Sequence, residues 1–214
     1  TAVESNGAPL SHFINRTMMR VNLPKALQPG EKFKFRIAWN YKINDINKDG
    51  GRSGLETFPD GNNNYTIAQF FPRLAVYNNV EGWQNMQFWG RSEWALEFGS
   101  YDVKITVPAD HILDATGDLQ NEKKVLSKKQ RQRFAKARKT FDNPVLIVTQ
   151  AEAEAAEKGR ATGTKTWHFK ADKVRDFAFA TSRKYIWDAM ATNVNGKTVM
   201  AVSLYPIEGN PLWE

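Results

Sequence analysis

The chain has no cysteine. Disulfide frameworks, thiol nucleophiles and cysteine-ligated zinc or iron–sulfur sites are therefore excluded. Histidine is scarce too: only His12, His111 and His168, far apart, with no H-E-x-x-H or H-x-H spacing. A zinc site needs clustered ligands, so this set predicts none within the chain. G-x-S-x-G, the P-loop and G-x-G-x-x-G are also missing. No apolar run approaches the ~18 residues of a membrane span. The opening Thr1-Ala2-Val3 has neither an initiator Met nor a signal peptide, so the chain reads as a processed or excised piece.

What is present suits a folded domain. The 214 residues are 41% hydrophobic and 25% charged, and seven Trp with thirteen Phe argue against disorder. That length buries a core without disulfides. No repeat or linker is visible, so a single domain over residues 1–214 is expected.

The charge is uneven. Lys+Arg total 30 against 23 Asp+Glu, a formal +7. Nine of the cations fall between Lys123 and Lys139, a stretch without an acid, and the rest of the chain carries −2. Nucleic-acid binders interleave such patches with stacking aromatics or carry a known motif. This stretch offers only Phe134 and Phe141, so no nucleic-acid partner is expected. Leu126, Phe134, Ala137 and Phe141 suit one narrow apolar stripe on a solvated helix. A second helix is predicted over Ala151–Lys158, with Thr149 and Glu152 at capping-box spacing and Gly159 as its stop. Its Glu152, Glu154 and Glu157 are placed to face the basic helix. The two short helices read as one insertion at about residues 122–159.

Elsewhere the period is two. Phe33, Phe35, Ile37, Trp39, Tyr41 and Ile43 alternate with polar or small residues, the clearest strand signal in the chain. A short strand near Met18–Leu23 precedes it. The Gly/Asn/Asp-rich stretch Asn44–Asn64 reads as a long loop. Tyr65–Phe71 reads as a strand. Trp94, Leu96 and Phe98, then Gly99-Ser100, then Tyr101, Val103, Ile105 and Val107 suggest a hairpin. Ile112–Leu119, Val145–Thr149, Lys165–Lys170, Phe177–Ala180 and Thr198–Tyr205 are further strands. Many short strands with frequent turns predict a mainly β fold, a β-sandwich or open barrel. His168, beside Thr166 and Lys170, belongs to a polar strand face.

One ligand pattern matches. Asp45, Asn47, Asp49, Gly50 and Glu56 fit the calcium-loop spacing D-x-[DN]-x-[DN]-G-x5-E. A strand rather than a helix precedes it, and Arg52 stands where an apolar residue pins such loops. Asn, Asp and Gly also build ordinary turns. A plain loop is therefore expected, with calcium as the alternative.

Three blocks carry a resemblance. The first runs Ile67-Ala68-Gln69-Phe70-Phe71-Pro72-Arg73-Leu74-Ala75-Val76-Tyr77, followed by Gly82-Trp83. The second is Glu97-Phe98-Gly99-Ser100-Tyr101-Asp102-Val103-Lys104-Ile105-Thr106-Val107-Pro108-Ala109-Asp110. The third joins Trp167-His168-Phe169 to Val174-Arg175-Asp176-Phe177-Ala178-Phe179-Ala180. In this order, over roughly residues 25–206, they resemble the N-terminal domain of zinc aminopeptidases of the aminopeptidase N type, closest to a bacterial branch. The resemblance implies a saddle-like β-sandwich without catalytic residues, docked on a catalytic domain that holds the zinc. The G-x-M-E-N-like and H-E-x-x-H motifs of that domain are not in this sequence. It implies two partners, the protein's own catalytic domain and a peptide substrate, and makes Gln69 the substrate-binding residue of the cleft wall. Trp83, Phe88, Trp89 and Trp213 are the expected docking aromatics. The rival reading is a freestanding β-sandwich that binds a ligand or partner.

Overall fold

The computed structural model describes residues 1–90 and 95–212. Trp94 and Trp213 lie outside the described residues. The protein is mainly β. Its strands in chain order begin β1 (Ala2–Ser5), β2 (Ala8–Pro9), β3 (His12–Asn15), β4 (Met18–Val21) and β5 (Arg36–Ala38). The short helix α1 (Ile46–Asp49) precedes β6 (Gly54–Thr57), β7 (Asn63–Ile67), β8 (Tyr77–Asn78), β9 (Gly82–Trp83), β10 (Gly99–Pro108), β11 (Ile112–Ala115) and β12 (Asp118–Leu119). Next come α2 (Glu122–Val125), α3 (Lys128–Ala137), β13 (Val145–Val148) and α4 (Gln150–Lys158). The chain continues with β14 (Thr164–Val174), β15 (Phe179–Ser182), β16 (Ile186–Val194), β17 (Lys197–Tyr205) and a 3-10 turn at Ile207–Gly209. It divides into two compact units, Thr1–Lys42 with Phe70–Glu97, and Ile43–Gln69 with Phe98–Glu214.

The first unit has the sheet β2-β1-β5 and the hairpins β3-β4 and β8-β9. The long strand expected from Phe33 to Ile43 is not formed. Only Arg36–Ala38 pairs, against Ala2–Glu4 of β1. As β5 is an edge strand, its remaining residues have no ladder to hold them, and Phe35, Trp39 and Tyr41 stay exposed. Among the described hydrophobic residues of this unit, Val3 and Leu10 are the buried ones.

The second unit holds three antiparallel sheets, β11-β15-β7-β6, β10-β14-β12 and β13-β16-β17. The stretch expected as a long loop contains α1 and β6, and β6 pairs with β7. The hairpin expected at Gly99-Ser100 is absent. Both residues lie inside β10, which pairs with β14 and absorbs an irregularity between Gly99 and Tyr101. Alternation along β14 sends Trp167, Phe169 and Ala171 inward, and the first two rings stack at 6.4 Å. Gly117 breaks the expected run Ile112–Leu119 in two. Its φ is +95°, and a Cβ there would stand 2.3 Å from the Lys170 carbonyl oxygen. β16, the central strand of its sheet, is not among the expected strands, although Asn195-Gly196 between β16 and β17 is a strong hairpin signal. Both turn residues have positive φ, 51° and 77°, as a type I′ turn requires.

The basic segment is not one helix. Leu126 turns extended, and Ser127 restarts the chain as α3 with a full capping box to Gln130. Leu126, Phe134 and Ala137 are buried, but Phe141 is exposed. Helix α4 starts and stops as expected, with Thr149 and Glu152 forming the box and Gly159 at its end. Of its acids, Glu152 meets the basic helix, accepting from Arg133 at 2.6 Å. Glu154 accepts instead from Gln150, and Glu157 turns to Lys184.

Lys184, between β15 and β16, is 1% exposed. Its ammonium reaches Asp60 at 2.6 Å, Glu208 at 2.9 Å and Glu157 at 3.2 Å, and lies 5.0 Å from the Phe58 ring centre. Burial alone would lower the lysine pKa, but the carboxylate hydrogen bonds outweigh it and raise it. Burial likewise works to raise Asp60, yet Lys184 and Asn62 hold it at about 2 against an ordinary 3.8. Removing one partner of a buried ion cluster strands the others, so Lys184→Met should destabilise the protein by ~3–5 kcal/mol in urea denaturation. Asp60 is depressed on folding, so its contribution is complete above pH 3.8 and drains as the pH falls towards about 2. The wild type should show that acid loss and Lys184→Met a flatter one; parallel curves would refute the clamp.

Candidate functional site

The sequence-derived residues do not converge. Gln69 lies beyond the end of β7, exposed, with φ +54°. Its side chain makes no hydrogen bond among the described residues, so it is free to meet something else. Asp45 is the N-cap of α1: its Oδ1 accepts from Asn47 N at 3.1 Å and its Oδ2 holds Lys48 at 2.7 Å. Asp49 turns back to the Asp45 N–H at 3.2 Å. Glu56 sits on β6 opposite Asn64. The Asp45 and Asp49 carboxylates are thus engaged in local structure, and the described residues contain no group of three or more His, Asp or Glu able to hold a metal. The histidines have separate partners: His12 lies 3.0 Å from the Leu10 carbonyl, His168 2.6 Å from Asp102, and His111 3.2 Å from Thr181. They do not form a zinc ligand set.

Two other features stand out. The first is apolar exposure in the unit of Thr1–Lys42 and Phe70–Glu97. Trp83 is 55% exposed, Trp89 73% and Met86 78%, with Phe13, Leu74 and Tyr77 also exposed. Tyr77 meets Trp83 edge-on at 5.2 Å, and Arg16 lies over the Trp89 ring at 5.1 Å. Singly exposed apolar residues are ordinary, whereas a contiguous patch of them is the kind of surface that meets a partner.

The second is a cavity of about 520 Å³ in the other unit. Alternation puts Asn63, Tyr65 and Ile67 on one face of β7 and Phe179 and Thr181 on the same face of β15. Ile105 and Val107 of β10 and the buried ring of His111 complete the wall. His111 follows the turn after β10, where its N–H bonds the Pro108 carbonyl at 3.0 Å. The hydrogen bonds settle its tautomer. The Thr181 hydroxyl donates to the Ile112 carbonyl at 2.9 Å, so its oxygen accepts from His111 Nδ1–H. Nε2 is then left with a lone pair. Burial, and next the Arg183 guanidinium, push the His111 pKa down to about 4. Beside it Asn63 donates through Nδ2 to the Tyr65 hydroxyl at 3.1 Å, while Asn63 Oδ1 is buried without a partner. Arg183 is already engaged, with Asp110 at 3.1 Å and Asn62 Oδ1 at 3.2 Å.

The sequence offered little warning of this site. His111 stands far from the other histidines in sequence, and Asn62-Asn63-Asn64 has loop composition. The hint was Tyr65 and Ile67 at period two after Asn63, which extends the strand one step back. The chain matches no family model, no curated protein and no solved structure.

His111 makes stability depend on pH. Its folded pKa of about 4 lies below the ordinary 6.5, so folding favours the neutral ring. That contribution is complete above pH 6.5 and is lost as the pH falls to about 4, a change of ~3 kcal/mol. Asp114, pushed up to about 6 by burial, acts in the opposite sense over the same range. The difference between wild type and His111→Phe isolates the histidine. That difference should shrink by ~3 kcal/mol from pH 7 to pH 4, with an NMR titration midpoint near 4; a midpoint near 6.5 would show an unburied ring.

Proposed function

We propose that this chain is the non-catalytic N-terminal β domain of a zinc metallo-aminopeptidase-like protein, docked on its own catalytic domain and shaping one wall of the peptide cleft. The reading combines the three ordered sequence blocks with one structural observation: the exposed Trp83, Met86 and Trp89 of a unit that buries little of its own apolar surface. Covering such side chains contributes roughly 1.5–3 kcal/mol each. The zinc and the general base belong to the catalytic domain, which would supply zinc-activated water for cleavage of an N-terminal peptide bond. This chain supplies surface and shape. The cavity favours the rival reading, a freestanding ligand-binding β module, and the two separate cleanly. An H-E-x-x-H encoded downstream of Glu214 supports the first; a stop codon there overturns it.

The docking face is testable directly. This chain and the separately produced downstream segment should form a complex. Trp89→Ser and Met86→Ser should each weaken it ~10-fold or more, as central apolar anchors do. Unchanged affinity in both would remove the face from the interface.

Gln69 gives the second test. Its amide oxygen can accept from a protonated peptide N-terminus, and a hydrogen bond to a charged group contributes ~1.5–3 kcal/mol. In the full-length protein Gln69→Ala should lower kcat/KM about 10- to 100-fold. Equal efficiency on several aminoacyl substrates, with stability intact, would make Gln69 an ordinary turn residue.

A further inference from the structure

We infer that the cavity beside His111 is a binding site for a small neutral molecule with an apolar body and a hydrogen-bond-donating end, such as an alcohol or a carboxamide. This goes beyond the docking reading and does not depend on it, since every wall residue belongs to the unit of Ile43–Gln69 and Phe98–Glu214. The volume, about 520 Å³, lies within the ~300–1,000 Å³ of small-molecule sites. The apolar part of the lining comes from Ile43, Ile67, Ile105, Val107 and Phe179.

The polar groups specify the rest. His111 is 4% exposed, and its Nδ1–H is held by Thr181, so Nε2 is an acceptor. Asn63 Oδ1 is a second acceptor, buried and without a partner. An unpaired buried acceptor is costly, and a donor brought by a ligand removes that cost. The Tyr65 hydroxyl accepts from Asn63 and keeps its own proton to offer. A ligand hydroxyl or amide can thus donate to one acceptor and accept from Tyr65. Charge selects against ions. Arg183 is matched by Asp110, so the wall does not call for an anion, and two lone pairs repel one. The same Arg183–Asp110 pair leaves no net charge that would call for a cation.

The probes are benzyl alcohol, toluene and benzoate, which share one ring and differ at the polar end. Binding to the whole chain is followed by NMR, including the His111 ring nitrogens. Benzyl alcohol should bind at least ~10-fold more tightly than toluene, about 1.4 kcal/mol, and benzoate should not bind. Nε2 should be unprotonated in the free protein and should shift when benzyl alcohol is added. His111→Phe keeps a ring and removes one of the two acceptors, so it should weaken benzyl alcohol binding and leave toluene unchanged. The nitrogen measurement uses the wild type and stands even if the variant does not fold. Equal affinity for benzyl alcohol and toluene, no binding of either, or a proton on Nε2 would each overturn the inference.

Discussion

The buried ammonium of Lys184 is the constraint on which the larger unit depends. It draws together the β6–β7 turn through Asp60, the end of α4 through Glu157, and the 3-10 turn through Glu208. Those three segments are far apart in sequence. A buried charge is tolerated only when it is paired and hydrogen-bonded. Satisfying one lysine therefore dictates where three other pieces of chain must lie. Such a cluster is weak evidence of net stability, since apolar residues could fill the space, but it is highly selective for one arrangement.

The same cluster reaches the cavity by short steps. Asp60 also accepts from the Asn62 backbone and side chain, both at 2.9 Å. Asn62 Oδ1 receives Arg183 and Arg160, and Arg183 holds Asp110, the neighbour of His111. Asn63 is thereby fixed at the start of β7 with its side chain on the cavity wall. A polar network with all its members engaged gives rigid placement, whereas the few groups it leaves open stand ready for a ligand. Here the open groups are His111 Nε2 and Asn63 Oδ1.

The other unit follows different physics. Its strands are short, its sheet is narrow, and most of its large apolar side chains remain in contact with water. A three-stranded sheet needs a covered face for independent stability. A β module made this way is suited to work against another surface, the role that the proposed docking on a catalytic domain assigns to it.

Local chemistry was legible in the sequence. Both capping boxes obey spacing rules that act within four residues; the one at Thr149 and Glu152 is among the expected features, and the one at Ser127 and Gln130 is added by the structure. The inward set Trp167, Phe169 and Ala171 follows from period two. The mainly β class needed nothing more. What the sequence did not determine was pairing. The alternation from Phe33 to Ile43 was as regular as that of β14, yet only three residues found a ladder, because alternation records which side chains share a face and not whether a partner strand lies beside them. Burial of a lysine, the tautomer of His111 and the lone pair of Asn63 are likewise products of contact. They join residues up to roughly 70 or 120 positions apart, or leave one unjoined, and only the tertiary structure decides that.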